Sequence, residues 1–365
     1  MGRYILRRLT LILPTLFGIL LLTFAIAQFA PGGPIEQIIA KATVGNLSTT
    51  SNFSGGGGDT GVSSQATDQT LTGSETLGTY GLDPELVADL EKQFGFDKPV
   101  HVRFFTMVWN YVRFDFGESY FQDRPVIDLV VERMPVSISL GLWSLLIIYG
   151  ISIPLGVGKA VRDGTPFDFW TSTVIFVGYA IPGFILAILL IILFAGGHYF
   201  DIFPLRGLTS ENFDELSLFG KVGDYFWHLA MPLMALTVGG FATLTMLTKN
   251  SFLEEISKQF VLTARAKGLT ERRVLYGHVF RNAMLIVIAG FPAAFVNIFF
   301  YGSVLIEVIF SLEGMGLLSY DALIKRDYPI MFGTLFMFGL VGLVMHLIGD
   351  LTYVLVDPRI DFEAR

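Results

Sequence analysis

The sequence predicts an all-α polytopic membrane protein with six transmembrane helices, and three observations carry that expectation. Only 16% of the 365 residues are charged, 52% are hydrophobic, and mean hydropathy is +0.60; soluble domains carry about 25% charged residues. A helix needs about 20 apolar residues to cross a hydrocarbon core of roughly 30 Å, and six runs are long enough: 9–35, 135–158, 169–197, 226–248, 283–310 and 330–356. Four of these hold no Asp, Glu, Lys or Arg, and the last two hold one acid each, Glu307 and Asp350. Core helices of soluble proteins are rarely so long and so free of charge. Composition also excludes chemistries. With no cysteine there are no disulfides, thiol nucleophiles or thiolate metal sites. A net charge of −7 does not suit a nucleic-acid partner.

Residues 1–35 hold Arg3, Arg7 and Arg8, then the first span. That apolar run is far longer than the 7–15 residues of a cleaved signal peptide, so it is expected to stay. Residues 36–134 form a large external segment. Its stretch 41–80 is rich in Ser, Thr and Gly and poor in bulky apolar residues, so it predicts a flexible insert. In residues 82–133, Asp83 and Pro84 suit a helix start followed by Leu86, Val87, Leu90 and Phe94 at helical spacing. A second helix is predicted over about 99–114, carrying Phe104, Phe105, Trp109, Tyr111 and Phe114. Such a helix suits a membrane interface. It equally suits a platform for an external partner, and the sequence leaves both open.

Residues 135–365 supply the other five spans. Lys159 and Arg162 follow the second span, while Lys249, Lys258, Arg265, Lys267, Arg272, Arg273 and Arg281 follow the fourth. The loop after the third span is acidic instead, with Asp201, Glu211, Asp214, Glu215 and Asp224. Positive charge marks the cytoplasmic side, so both termini and loop 249–282 are expected there.

That loop has an organised pattern. Phe252, Ile256, Phe260 and Ala264 recur every four residues and predict one helix face. Ala264 and Ala266 keep side-chain bulk low near the helix end. Gly268 supplies a left-handed stop, Thr270 a cap for a following helix, and Glu271 an acid in its first turn. The expected product is helix, glycine turn, helix, with a slim tip ringed by Arg265, Lys267, Arg272 and Arg273.

These residues carry a resemblance. TARAKGL (263–269) followed by His278 and RNAM (281–284) resembles the coupling-helix loop of ABC importer permeases in their oligopeptide/dipeptide version. Other stretches agree: YILRRL, APGGP, FGFDKP, FDFGES, FSLEGMG, RDYP and VDPRI. The resemblance spans nearly the whole chain apart from 41–80 and is similar to the Yej-type branch. It implies a type I importer permease in the bacterial inner membrane, with 36–134 periplasmic. It implies partners as well: a second permease subunit, a cytoplasmic ATPase and a periplasmic binding protein. Peptides would be the substrates, the peptide-nucleotide antibiotic microcin C among them. Thr263, Ala264, Arg265, Ala266, Lys267, Gly268, Leu269, Thr270 and Glu271 would dock the ATPase. The chain has no GxxxxGK[ST] loop, so ATP and Mg are expected on that partner, no cofactor or metal on this chain, and no enzymatic activity of its own. The family's proline after the RNA stretch is absent, Ile286 standing near its place with Pro292 close by.

The binding protein is expected on 82–133 together with 311–329, through Phe105, Trp109, Arg113, Arg124, Asp321 and Arg326. Asn297 and Tyr301, four apart, are expected to line a peptide path with Glu307. The alternative is an ion-coupled secondary transporter using Glu307, His346 and Asp350, since intramembrane charges are costly and usually face a cavity; all three also lie near span ends, where interfacial water is within reach and no such role is needed. Such a protein needs no coupling element. An intramembrane hydrolase would need a motif of the HExxH or GxSxG kind, and the sequence has neither.

Overall fold

The computed structural model describes residues 2–29, 98–297 apart from 196 and 198, and 304–356. The predicted insert 41–80 and the helix at Asp83 and Pro84 lie outside them. Among the described residues the chain is helical, with a single isolated bridge, Glu118 to Pro125, as its extended pairing.

The first span is α1 (Gly2–Phe29), followed among the described residues by the short helix α2 (Val100–Val112). Next come α3 (Val126–Val161), α4 (Pro166–Ala180) and α5 (Gly183–Phe194). The long α6 (Leu218–Ile256) leads to α7 (Gln259–Ala266) and α8 (Glu271–Val274). A π turn (Leu275–Val279) joins α8 to α9 (Phe280–Asn297). Helices α10 (Val304–Ile309), α11 (Met315–Lys325) and α12 (Tyr328–Val356) complete the fold. Among the described residues, five helical stretches are long and apolar enough to cross a membrane, one of them being α8, the π turn and α9 taken together.

The third predicted span needs correction. It is two helices, α4 and α5, bent by 91°. The break falls at Ile181–Pro182, where Ile181 adopts an extended backbone (φ −89, ψ 115). A residue before proline is pushed out of the helical region, and proline offers no N–H to continue the ladder. Counted as one span, the pair brings the crossings to six. The fifth span also starts earlier than its apolar run, because α8 and the π turn feed into α9.

Three apolar clusters hold the bundle. At the end expected from the charge pattern to be the outer one, Tyr111, Phe116, Val126, Leu129, Met315 and Phe336 join α2, α3, α11 and α12. In the middle Leu140, Ala187, Leu229, Ile306 and Phe310 join α3, α5, α6 and α10. At the opposite end, expected to be the inner one, Val157, Leu244, Phe252, Val261, Ala264, Val279 and Ala283 join α3, α6, α7 and α9. Helices α1 and α12 run antiparallel: Ile19 lies against Gly339, and Arg8 pairs with Asp350 at 3.1 Å. The N-terminal end of α1 and the C-terminal end of α12 therefore share one side of the bundle.

Candidate functional site

The inner element is built from the end of α6. That helix stops at Ile256, where Lys258 turns extended (φ −74, ψ 152) and α7 starts again in a new direction. Ser257 Oγ donates to the Glu254 carbonyl, and Lys258 Nζ reaches Glu254 at 3.4 Å. The expected single face of Phe252, Ile256, Phe260 and Ala264 is thus split over two helices. All four still enter the same apolar cluster.

Helix α7 ends in a Schellman motif. Leu269 N donates to Ala264 O (3.3 Å) and Gly268 N to Arg265 O (2.9 Å), with Gly268 at φ +78. An added Cβ on Gly268 would meet nothing within 4 Å, so backbone conformation rather than space demands the glycine. Thr270 stands at the start of α8 as expected, but its side chain makes no capping bond. Glu271 instead takes Arg265 in a two-pronged ion pair, Nε to Oε1 at 2.9 Å and Nη2 to Oε2 at 3.0 Å. Both side chains are exposed, so the pair, which bridges α7 and α8, contributes about 0–1 kcal/mol.

Of the expected docking residues, Thr263, Arg265, Ala266, Lys267, Gly268, Thr270 and Glu271 are exposed on the tip. Two face inward: Ala264 is buried and Leu269 half-buried, both in the inner cluster. Ala264 is small because it is pressed against the core, which corrects its assignment to the tip surface.

The outer element joins motifs that lie far apart in sequence. Asp327 is buried, and its carboxylate accepts from Ser119 Oγ and from Tyr120 N (3.4 Å). FDFGES and RDYP therefore form one structure. Ser119 Oγ in turn accepts from Gln122 N (3.0 Å), and Ser119 N donates to Arg124 O (2.9 Å), closing a tight loop before α3. Arg133 pairs with Glu313, tying α3 to the loop before α11. The structure thus brings together the two segments expected to meet the external partner. Phe105 and Trp109 are exposed on α2, with the Arg113 guanidinium 4.3 Å from the Trp109 ring centre. Arg124 pairs with Glu132 at 2.8 Å, and Asp321 lies 3.9 Å from Lys325. Arg326 closes α11 in the left-handed conformation (φ 55). On its other face α2 buries Phe104 between Phe17 and Phe24 of α1, at 5.5 and 5.3 Å.

Glu307 has a different task from path lining. It is fully buried. Its Oε1 accepts from Ser137 Oγ (2.7 Å) and its Oε2 from Leu317 N (2.9 Å), while Ser137 Oγ accepts from Met315 N (2.8 Å). The carboxylate therefore caps α11, where a helix N-terminus leaves N–H groups unpaired and favours negative charge. A Cβ on Gly314 would lie 2.5 Å from the Glu307 carboxyl carbon, and one on Gly316 would lie 2.8 Å from Oε2. The glycines of SLEGMG make room for that carboxylate. Sequence reading missed this site; two glycines bracketing a methionine next to an intramembrane acid were its signal. Asn297 ends α9, and Tyr301 lies outside the described residues. The trio of the alternative transporter does not gather. Glu307 caps α11 at the outer end, Asp350 pairs with Arg8 at the other end, and His346 is exposed on α12.

Comparison with known proteins gives a concordant result. A family model described as "Binding-protein-dependent transport system inner membrane component" matches residues 152–362. The chain is 60% identical to the peptidoglycan transport system permease protein YejB of Agrobacterium fabrum, covering 100% of both chains. It is 56% identical to the inner membrane ABC transporter permease protein YejB of Escherichia coli O157:H7, again over 100% of both. Identity to the dipeptide transport system permease protein DppB of Escherichia coli K12 is 30%, over 99% of each.

Proposed function

The chain belongs to the family of binding-protein-dependent inner-membrane transport components, and on that premise we propose that it is the membrane-spanning permease subunit of an ATP-driven peptide importer. The substrate class is peptides and peptide conjugates. Relatives named for dipeptides and for peptidoglycan support it, since peptidoglycan carries peptide stems. Microcin C, a peptide joined to a nucleotide, is a conjugate of the same kind.

The observation that carries the reading is the exposed tip of α7. A short helix ends in a Schellman turn, presents Ala266 and Gly268 at its end, and is braced by the Arg265–Glu271 pair. Low bulk lets a backbone approach closely, and exposed Lys267, Arg272 and Arg273 suit an acidic groove. A cytoplasmic ATPase, holding ATP and Mg, is the partner of this tip. The Lys- and Arg-rich ends face the cytoplasm by the positive-inside rule, and Arg8 beside Asp350 supports both termini on that side. The opposite face, α2 with the 114–126 loop and α11, receives the periplasmic binding protein, and a second permease subunit completes the path. The chain itself performs no hydrolysis.

The test is to tag this chain, purify it in mild detergent from cells of its own organism and identify what accompanies it. A second permease and an ATPase are expected, the ATPase being lost when Ala266 and Lys267 are both changed to Glu. Retention of the ATPase by that variant would overturn the assignment of the tip.

A further inference from the structure

Three helices meet in a buried charge network beside the tip. Lys159, in the last turn of α3, has no exposed surface. Its Nζ lies 2.9 Å from Asp168 Oδ1 and donates to Asp168 O (2.8 Å), Thr171 Oγ1 (2.9 Å) and Ser172 Oγ (2.6 Å). Asp168, in the first turn of α4, gives its other oxygen to Lys249 Nζ of α6 at 2.7 Å. Lys249 also reaches Asp163 Oδ1 in the α3–α4 turn, again at 2.7 Å. One carboxylate therefore bridges lysines from two helices. Lys159 and Lys249, which read in the sequence as loop cations, are instead buried and paired.

A buried charge persists only when paired and hydrogen-bonded, and a network of that kind could be no more than a clasp at helix ends. Its position gives it more. Lys249 lies two turns before the end of α6, and those turns carry Phe252, which shares one apolar cluster with Val261 and Ala264 of α7. Helices α3 and α6 are also in close contact here. A Cβ on Gly156 would lie 2.6 Å from Thr248 Cβ, one residue from Lys249. The buried hydroxyls of Ser144 and Ser152 on α3 and of Thr245 and Thr248 on α6 make no hydrogen bond among the described residues. Tyr225 Oη of α6 meets Ser139 and Trp143 of α3 near the start of α6; at the end of α6 that leads into α7, the polar tie to the α3–α4 unit is made by Lys249.

We propose that Asp168 and Lys249 form an electrostatic joint that fixes the angle of α7 to α3 and α4, so that a displacement of α7 is passed into the transmembrane helices. The proposal rests on the reading that α7 docks on the ATPase. Without the joint, α6 would bend at its last turns and the push would be spent there. Both residues are positioning residues, and neither touches substrate or nucleotide.

The variant of choice is Lys249→Met. It frees α6 yet leaves Asp168 paired with Lys159 and Asp163 half in water, so no buried charge is orphaned. The chain has no cysteine, so Val161→Cys and Gln259→Cys, both at exposed positions and outside the docking residues, take spin labels cleanly. In the assembled transporter, pulsed electron spin resonance should give one narrow distance between these labels. Lys249→Met should broaden or shift it, and Lys249→Arg should restore it. In proteoliposomes, import of a labelled tripeptide per ATP hydrolysed should fall about tenfold in Lys249→Met. Asp168→Asn, if it inserts, should show the same two changes. An unaltered distance distribution and unaltered import per ATP in assembled Lys249→Met would overturn the joint. Failure of the docking reading has a separate signature: the ATPase would accompany the chain regardless of substitutions at Ala266 and Lys267.

Discussion

Replacing Gly268 separates backbone strain from contact at the tip. The residue sits at φ +78, where an L side chain costs roughly 1–2 kcal/mol. No atom lies within 4 Å of a Cβ there, so no steric clash within the chain adds to that cost. Gly268→Ala should therefore lower stability by about 1–2 kcal/mol and leave the chain in the membrane. Gly268→Asn should cost less, because asparagine tolerates the left-handed region. Gly268→Glu carries the same strain as alanine and adds a charged side chain on the open side of the turn. That side chain points where the partner must sit, and its sign opposes an acidic groove. Uptake of a peptide by cells should be abolished in Gly268→Glu, reduced in Gly268→Ala and nearly retained in Gly268→Asn, at equal membrane abundance. Abundance by immunoblot, uptake of a labelled peptide and recovery of the ATPase with the tagged chain are the three measurements. Wild-type uptake by Gly268→Glu at normal abundance would refute the reasoning. Equal loss in all three variants would assign the whole effect to the turn and none to contact.

Gly314→Ala drives a methyl to 2.5 Å from the Glu307 carboxyl and should destabilise the protein by about 1–3 kcal/mol, read as a lower unfolding temperature in detergent; an unchanged temperature would show that Glu307 does not hold α11. Trp109→Ala and Arg113→Ala should each weaken the complex with the binding protein by about thirtyfold while ATPase recovery is kept. If α2 serves only as an interfacial anchor, stability would fall instead and partner affinity would not change. Replacing 41–80 by a short Gly/Ser linker should preserve insertion and most uptake, and loss of the protein from the membrane would show that the segment is structural.

What the sequence made legible follows from which interactions are local. The six crossings and the Gly268 stop depend on runs and near neighbours, so composition and spacing sufficed for them. The break of the third span was also written locally, in Ile181–Pro182, but a count of apolar residues hides it. The kink at Lys258 was not legible, because a four-residue spacing continues through a helix break when both helices face one core. Charges were the least legible. Asp327 with Ser119, Glu307 with Ser137 and Lys159 with Asp168 pair residues on different elements, two of these pairs more than 150 positions apart. Counting Lys159 and Lys249 as loop cations missed their burial and pairing. Glu307 shows the converse. Its intramembrane position suggested a path, yet a helix N-terminus needs an acceptor as much as a substrate does, and Gly314 and Gly316 are there because the cap occupies their side-chain space. An acid in a span is therefore read better by what its neighbours leave empty than by its own charge.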